Sequence, residues 1–222
     1  MSYICMIANK NGAVVASDSR AVKNIPVSGS GRVASDRVQK TFYSSGGKVV
    51  WAMCGVRSLH GTDYLKSCEK ILKADSVPFG KRLVQFQECM KTATALYQKT
   101  EKKDGISTLL FASYYVKKNP VIGMITIKNG VILNDVRYRD GCFVESGSNI
   151  EKLLQSGRYA PDAATPVEEL EKRAIHRVKE AIEKDTLLAK YVPGYQPCVG
   201  GRVQMKSLRV CQSEAGAKKR AS

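Results

Sequence analysis

The sequence has few aromatic residues, only two histidines and no long apolar run. Its longest uncharged apolar stretch, Gly105 to Val116, is shorter than the roughly 18 to 20 residues that a membrane helix needs. Met1 to Lys10 lacks the basic start and the cleavage site of a secretory signal peptide. We therefore expect a cytoplasmic protein without a membrane segment.

The cysteines and histidines do not form a usual metal-binding pattern. The number of cysteines, seven, is odd, and none stands in a Cys-x-x-Cys pair. We expect no metal and no cofactor, and we interpret the cysteines as reduced, mostly buried thiols. A catalytic pair of Cys54 or Cys198 with His60 or His176 is an alternative, but no spacing in the sequence brings such a pair together.

Acidic residues are scarce relative to basic ones. There are 36 Lys and Arg against 20 Asp and Glu, which gives a formal net charge of +16. Such an excess raises the possibility of nucleic acid or acidic partners. The basic residues are spread along the chain, however, and no aromatic residues alternate with the lysines, so the sequence argues against nucleic-acid binding.

The chain is long enough to bury a full core, with 222 residues of which 43% are hydrophobic. We predict one domain over residues 1–211 and a polar, basic, disordered tail over residues 212–222. Hydrophobic periodicity predicts strands, two helices, strands, two helices and a final strand. This order is typical of an α+β domain in which helices cover antiparallel sheets.

The first strands are predicted to form a hairpin. Apolar residues at 3–8 and 13–17 flank Asn9-Lys10-Asn11-Gly12, whose Asn-Gly pair is suited to the positive φ angles of a tight turn. A turn at 9–12 pairs Ala8 with Ala13 and Tyr3 with Asp18. Ser2 should therefore lie beside Ser19.

Further elements follow from the same patterns. We predict a strand pair at 40–44 and 49–53, helices at 57–73 and 79–99, and strands at 106–116, 121–127 and 131–137. A short helix at 149–156, a long helix that begins with Thr165 as its N-cap and Pro166 as its first residue, and a strand at 202–208 complete the chain.

Ser2 directly follows the initiator methionine. Removal of Met1 would leave Ser2 with a nucleophilic hydroxyl and a free α-amine, and that amine can accept the proton of the hydroxyl. Serine is also common at position 2 for reasons of translation or methionine removal. Ser2 alone therefore does not indicate catalysis.

Three further motifs, in order along the chain, resemble one family. Ser2, then Val14-Val15-Ala16-Ser17-Asp18-Ser19-Arg20, then Arg37-Val38-Gln39-Lys40, then Ala52-Met53-Cys54-Gly55 are similar to the β-subunits of the proteasome, which are N-terminal nucleophile hydrolases. The start at Met1-Ser2-Tyr3, without a visible propeptide or an α-subunit extension, resembles the bacterial ancestral β-subunit type most. The resemblance implies a four-layer αββα sandwich of two antiparallel sheets between helices.

The resemblance also implies roles for individual residues. Ser2 stands at the position of the nucleophile, and Asp18 and Lys40 match the buried acid and lysine beside it. A lysine near the α-amine disfavours a second positive charge there and so keeps the amine a neutral base. Gly55 matches the glycine whose N–H faces the oxyanion, and Ser146 resembles the serine of a Gly-Ser-Gly turn, although Glu145 replaces the first glycine.

Other positions match the specificity pocket or depart from the pattern. Ala21, Val38 and Met53 fall where the family lines its primary pocket, which favours an apolar residue before the cleaved bond. The late aspartate of the family precedes a glycine pair. Counting back from Gly200-Gly201 reaches Gln196, whereas Asp185 fits only with an insertion of about eleven residues.

The sequence thus predicts a peptide hydrolase that uses Ser2 and acts on peptides or unfolded chains in a homo-oligomeric ring, and the resemblance suggests an ATP-dependent unfoldase as a partner. A non-catalytic structural ring subunit and an amidase of small amides are the alternatives. Each of the matched residues also has a purely structural interpretation, as a cap, a turn or a core residue.

Overall fold

A computed structural model describes residues 2–23, 32–101, 107–139, 141–146, 154 and 159–210. The predicted tail at 212–222 and all of the predicted helix at 149–156 except Leu154 lie outside the described residues, as does Met1. The described chain is a mixed α+β structure with antiparallel sheets and three helices.

The elements follow one another as strands, two helices, strands, a long helix and a last strand. The strands are β1 Ile4–Asn9, β2 Gly12–Ser17, β3 Ala21–Lys23, β4 Arg32–Ser35, β5 Thr41–Ser44, β6 Val49–Cys54, β7 Ser58–Leu59, β8 Thr62–Asp63, β9 Thr108–Val116, β10 Asn119–Lys128, β11 Val131–Arg139, β12 Cys142–Ser146 and β13 Gln204–Arg209. The helices are α1 Tyr64–Leu72, α2 Phe79–Glu101 and α3 Val167–Tyr191.

The first hairpin forms the centre of a four-stranded sheet with the order β12-β1-β2-β13. Ala8 pairs with Ala13 and Ile4 with Ser17, so the predicted register is confirmed. Tyr3 and Asp18 extend the ladder, because the Asp18 amide donates to the Tyr3 carbonyl at 3.2 Å. The sequence did not predict β12, which pairs with β1 on its other edge.

The turn of this hairpin differs from the prediction. Neither Asn11 nor Gly12 has a positive φ; instead the Asn9 side chain closes the turn by accepting from the Asn11 amide at 2.9 Å. The second Asn-Gly pair behaves as predicted, because Asn129 and Gly130 have φ angles of 54° and 77° between β10 and β11.

A five-stranded sheet has the order β11-β10-β9-β6-β5. All of its strands were predicted, with bounds that differ by a few residues. The helix predicted from residue 57 begins only at Tyr64, because residues 58–63 form the small β7–β8 hairpin with positive φ at His60 and Gly61. Asp63 caps α1 by accepting from the Lys66 amide.

The start of α3 is also one residue later than predicted. Pro166 is the N-cap in extended conformation, and its carbonyl accepts from the Glu169 and Leu170 amides. Thr165 therefore precedes the cap, and its hydroxyl accepts from the Asp162 amide at 3.1 Å. The predicted inner stripe of α3 is buried: Val167, Leu170, Ala174, Val178 and Ala181.

Three apolar clusters fill the spaces between these elements. One lies between the five-stranded sheet and α1 and α2, one between the two larger sheets, and one between the four-stranded sheet and α3. Alternate residues of β1 divide between the last two, with Ile4 and Met6 towards the other sheet and Cys5 and Ile7 towards α3. None of the helices in the described ranges is both long and apolar enough to cross a bilayer.

Candidate active site

The strongest feature of the candidate site is a buried ion pair between two sheets. Lys40, just before β5, donates from Nζ to Asp18 Oδ1 at 2.8 Å and to the Arg20 carbonyl at 2.6 Å. The Lys40 and Asp18 side chains are 4% and 0% exposed. Asp18 lies just after β2, so this contact joins the ends of the two larger sheets.

The same carboxylate oxygen also binds the start of the chain. Asp18 Oδ1 accepts from the Tyr3 amide at 2.9 Å as well as from Lys40 Nζ. The amide nitrogen that links Ser2 to Tyr3 and the Lys40 ammonium are therefore two hydrogen bonds apart, through one oxygen atom. Ser2 itself is 9% exposed.

Strand alternation gives the direction of the Ser2 side chain. Tyr3 belongs to the cluster against α3, whereas Ile4 belongs to the cluster between the sheets. Continuing this alternation by one residue beyond Tyr3 predicts that the Ser2 side chain lies on the face between the sheets.

Burial changes the pKa of Lys40. Desolvation lowers its pKa, and the nearby carboxylate of Asp18 opposes that shift without cancelling it. The Lys40 backbone is held as well, because its amide donates to Gln204 Oε1 at 2.9 Å and its carbonyl accepts from the Met53 amide at 3.1 Å. The lysine is thus fixed at both its backbone and its ammonium group.

Gly55 follows β6, two residues beyond this contact. Its φ is 121°, which L side chains rarely adopt, and a Cβ there would lie 2.5 Å from Thr108 Oγ1 and 2.6 Å from Thr108 Cα. The backbone of β9 therefore approaches so closely that only glycine fits. The predicted role as an oxyanion donor stays a prediction.

Ser146 ends β12 and pairs with Ile4, so it lies at the same end of β1 as Ser2. Glu145, which replaces a glycine of the family pattern, points towards α3. Its carboxylate binds the Arg177 guanidinium at 2.6 and 2.7 Å and accepts from the Tyr3 hydroxyl. Glu145, where the sequence departs from the Gly-Ser-Gly turn, is therefore part of a buried network with Arg177 and Tyr3.

Of the predicted pocket residues, Met53 binds the Lys40 carbonyl through its amide, and Ala21 and Val38 lie close in sequence to Arg20 and Lys40. Ala21 follows Arg20, whose carbonyl binds Lys40 Nζ, and Val38 accepts from Gln204 Nε2 at 2.8 Å. Ala21 and Val38 are half-buried, but Met53 is 3% exposed and packs in the cluster against α1 and α2. Their role as a specificity pocket stays a prediction.

Asp185, considered as the late aspartate, lies fully buried on α3. Its Oδ2 accepts from the Val199 amide at 2.7 Å, and its Oδ1 accepts from the Tyr195 hydroxyl. The next amide, that of Gly200, donates to Asp18 Oδ2 at 3.1 Å. Desolvation raises the Asp185 pKa against these hydrogen bonds. Asp185 thus holds the loop that binds Asp18.

Cys54 and Cys198, the two cysteines considered as nucleophiles, have surroundings that favour the neutral thiol. Burial raises the pKa of Cys54 and of Cys198. His60 is exposed in the β7–β8 turn, and His176 is exposed on α3 beside Glu180. This geometry gives no support to a Cys–His pair.

A groove of about 400 Å³ lies away from these residues. Arg209 at one end of β13 lines it and pairs with Gly12, whereas Gln204 at the other end pairs with Ser17 and binds Lys40. The other lining residues are basic, aromatic or aliphatic: Lys48, Val49, Phe79, Arg82, Tyr114, Tyr115, Lys118, Leu208 and Val210.

The sequence prediction missed the participation of Tyr3, Glu145 and Arg177. One signal was present, because Arg177 falls among the apolar positions of the α3 inner stripe, where a charged residue needs a partner. The strand that carries this partner, β12, was not predicted, so the sequence alone did not identify Glu145 as the partner of Arg177.

Comparisons with known proteins find matches among solved structures alone. No family model matches the sequence, and no curated protein matches it. Among the solved structures that match is "Anbu (Gly-1) mutant" from Hyphomicrobium sp. strain MC1. It has 12% sequence identity and a TM-score of 0.49, and the match covers 94% of this chain and 82% of that chain.

Proposed function

We propose that the chain is a proteasome-like peptide hydrolase that uses Ser2, exposed by removal of Met1, as its nucleophile. The observation that carries the proposal is the sharing of Asp18 Oδ1 by Lys40 Nζ and by the amide that follows Ser2. The sequence motifs of the β-subunit family support it independently. The three apolar clusters support a four-layer αββα arrangement.

In the proposed reaction, Ser2 Oγ attacks the carbonyl carbon of a peptide bond and its proton passes to the α-amine. The amine then gives this proton to the leaving amine, and an ester on Ser2 remains. Water, deprotonated by the same α-amine, attacks the ester carbonyl carbon, and the acyl group leaves as a carboxylic acid while the protonated amine returns its proton to Ser2 Oγ. The buried Lys40 ammonium disfavours protonation of the α-amine and so keeps it available as a base.

We further propose that the substrates are peptides or unfolded chains and that the protein acts in the cytoplasm. A homo-oligomeric ring and an ATP-dependent unfoldase are implied by the same family resemblance. An amidase of small amides would use the same groups. A structural ring subunit would keep the fold but not the reaction.

Hydrolysis of fluorogenic peptides by the wild type, Ser2→Ala and Ser2→Thr tests the proposal. Ser2→Ala removes the attacking oxygen and should abolish hydrolysis, whereas Ser2→Thr keeps oxygen and amine and should retain it. Each preparation is checked for loss of Met1 by intact mass and for contaminating protease. Wild-type hydrolysis by Ser2→Ala would refute the assignment, and retention of Met1 would favour a structural subunit.

A further inference from the structure

Tyr3, Glu145 and Arg177 form a buried network on the face of β1 that packs against α3. The Glu145 carboxylate binds Arg177 Nη2 at 2.6 Å and Nε at 2.7 Å. The Tyr3 hydroxyl donates to Glu145 and accepts from Arg177 Nε at 3.2 Å. The Arg177 and Glu145 side chains are only 1% and 10% exposed.

Further contacts fix the guanidinium in place. The Arg177 Nη1 group lies 3.4 Å from Glu180 Oε2, and the guanidinium carbon lies 4.8 Å from the centroid of the Tyr159 ring. The Tyr159 hydroxyl donates to the same Glu180 oxygen at 2.5 Å. The network therefore connects α3 to two neighbouring strands, β1 through Tyr3 and β12 through Glu145.

Stability alone does not explain a buried ion pair. Replacing such a pair by apolar side chains is often neutral or stabilising, because the two charges must be removed from water. A bidentate pair does, however, define the relative positions of the elements that carry it. Here α3 and β12 meet at the side chain of Tyr3, the residue that follows Ser2.

Tyr3 connects the network to the candidate site, because its side chain binds the network and its backbone amide binds Asp18. The Tyr3 side chain is bound by Glu145 and Arg177, while its amide donates to Asp18 Oδ1 at 2.9 Å. Tyr3 is thus held at its hydroxyl and at its backbone. One covalent step away, Ser2 has little freedom to move relative to Asp18 and Lys40.

We propose that Tyr3, Glu145 and Arg177 are positioning residues that hold the N-terminal end of β1 so that Ser2 faces Lys40. This inference rests on the proposed function, and none of the three residues is assigned contact with substrate. Misplacement of a reacting group by about 1 Å can cost on the order of a hundredfold in rate. Loss of the network should therefore lower kcat and leave KM nearly unchanged.

The test compares Glu145→Gln and Tyr3→Phe with the wild type in steady-state peptide hydrolysis. We expect Glu145→Gln to lower kcat by about tenfold to a hundredfold, with KM within about twofold. Tyr3→Phe removes only the hydroxyl and should lower kcat in the same way, and it serves as the variant if Glu145→Gln does not fold. The double variant should lose little more than Glu145→Gln alone, because the residues act as one unit.

Arg173→Ala is the matched control, since it breaks an ion pair with Glu169 on the same helix at a more exposed position. It should leave kcat and KM within about twofold. Folded Glu145→Gln and Tyr3→Phe samples with wild-type kcat would overturn the inference. A fall in kcat in Arg173→Ala as large as that in Glu145→Gln would also overturn it.

A second measurement separates this inference from the proposed function. Protection of the Tyr3 amide against hydrogen exchange should fall in Glu145→Gln relative to amides of α2, whether or not Ser2 is a nucleophile. If Ser2→Ala retains hydrolysis, the function fails and this measurement decides whether the network holds the strand. Unchanged Tyr3 protection would then overturn the inference as well.

Discussion

Asp18 is the residue on which the candidate site depends most. Its Oδ1 accepts from the Tyr3 amide and Lys40 Nζ, and its Oδ2 accepts from the Arg20 and Gly200 amides. The start of the chain, the lysine before β5 and the loop before β13 therefore meet at one carboxylate. A fully buried charge with such partners is satisfied, but removal of any partner is costly.

Lys40→Met tests the weight of this ion pair in folding. The substitution leaves the Asp18 carboxylate buried without its cation, so we expect the free energy of unfolding to fall by about 3–5 kcal/mol. The control is Lys73→Met at the more exposed Lys73–Glu69 pair, which should cost at most about 1 kcal/mol. Urea unfolding measures both, and equal losses would contradict a special role for Lys40.

Gly55→Ala tests the close approach of β6 and β9. The strained φ costs about 1–3 kcal/mol and the contact with Thr108 about 1–3 kcal/mol more. Gly61→Ala is the control, because Gly61 has a φ of 79° but no atom within 4 Å of the added Cβ. A loss of stability at Gly55 no greater than at Gly61 would show that the approach is looser than described.

Asp185 gives a prediction for pH. Burial raises its pKa above the ordinary value of 3.8, so just above that value the native state binds more protons than the unfolded state. The stability that Asp185 contributes is complete below pH 3.8 and decreases as pH rises through its native pKa. Tyr195, Cys198 and Arg20 face this carboxylate. All three are present in the wild type and in an Asp185→Asn variant, so they do not distinguish the two.

The measurement is the free energy of unfolding of the wild type minus that of Asp185→Asn across a pH series. Other titrating groups largely cancel in this difference. We expect the difference to fall with rising pH in the window above 3.8 and then to level off. A difference that rises with pH would mean that the hydrogen bonds outweigh burial.

The sequence indicated Asp18 and Lys40 as site residues because both belong to short motifs that resemble the β-subunit pattern. The hairpin register placed Asp18 opposite Tyr3. It did not predict Glu145 and Arg177. These two residues meet only because α3 packs across the four-stranded sheet, a contact between segments remote in sequence. Periodicity shows which face of α3 is buried but not which polar residue of another element it meets.

At the scale of elements, the first hairpin is tied to the start of α3 through Asn9. The fully buried Asn9 side chain donates from Nδ2 to the Asp162 and Thr165 carbonyls at 2.9 and 2.8 Å. Its Oδ1 accepts from the Asn11 amide. One side chain thus closes the turn and fixes the segment that leads into α3.

Asn9→Ala and Asn9→Asp test this connection. Alanine leaves buried groups without partners and should cost about 1–3 kcal/mol. Aspartate should cost more, because it places an oxygen where Nδ2 faces two carbonyl oxygens. Lys10→Ala, at the exposed neighbour, should change the unfolding free energy by less than about 0.5 kcal/mol. Equal stability of the two Asn9 variants would contradict the assigned donor.

Most elements were predictable because hydrophobic periodicity continues through them, as in α2 and the three strands that follow it. The start of α1 was not, since the β7–β8 hairpin, with a positive φ at His60, takes up residues 58–63 although the helical pattern extends through them. The closing of the first turn by Asn9 was likewise hidden, because Asn11-Gly12 offered a more usual solution.

At the scale of the whole molecule, the family resemblance predicts self-association into a ring. Sedimentation velocity at micromolar concentration should give a species whose mass is a multiple of the 24.4 kDa chain. Repeating the run at high salt shows whether the charge of +16 affects assembly. A single 24.4 kDa species under all conditions would contradict the ring and leave the hydrolase proposal to its own tests.

The most direct test of the central claim is covalent labelling with a peptide epoxyketone, followed by mapping of the adduct by mass spectrometry. This reagent can bond to both the hydroxyl and the free α-amine of an N-terminal nucleophile. We predict an adduct on a peptide that begins at Ser2, with none in Ser2→Ala. An unlabelled N-terminal peptide that still carries Met1, or a label on any other residue, would contradict the account.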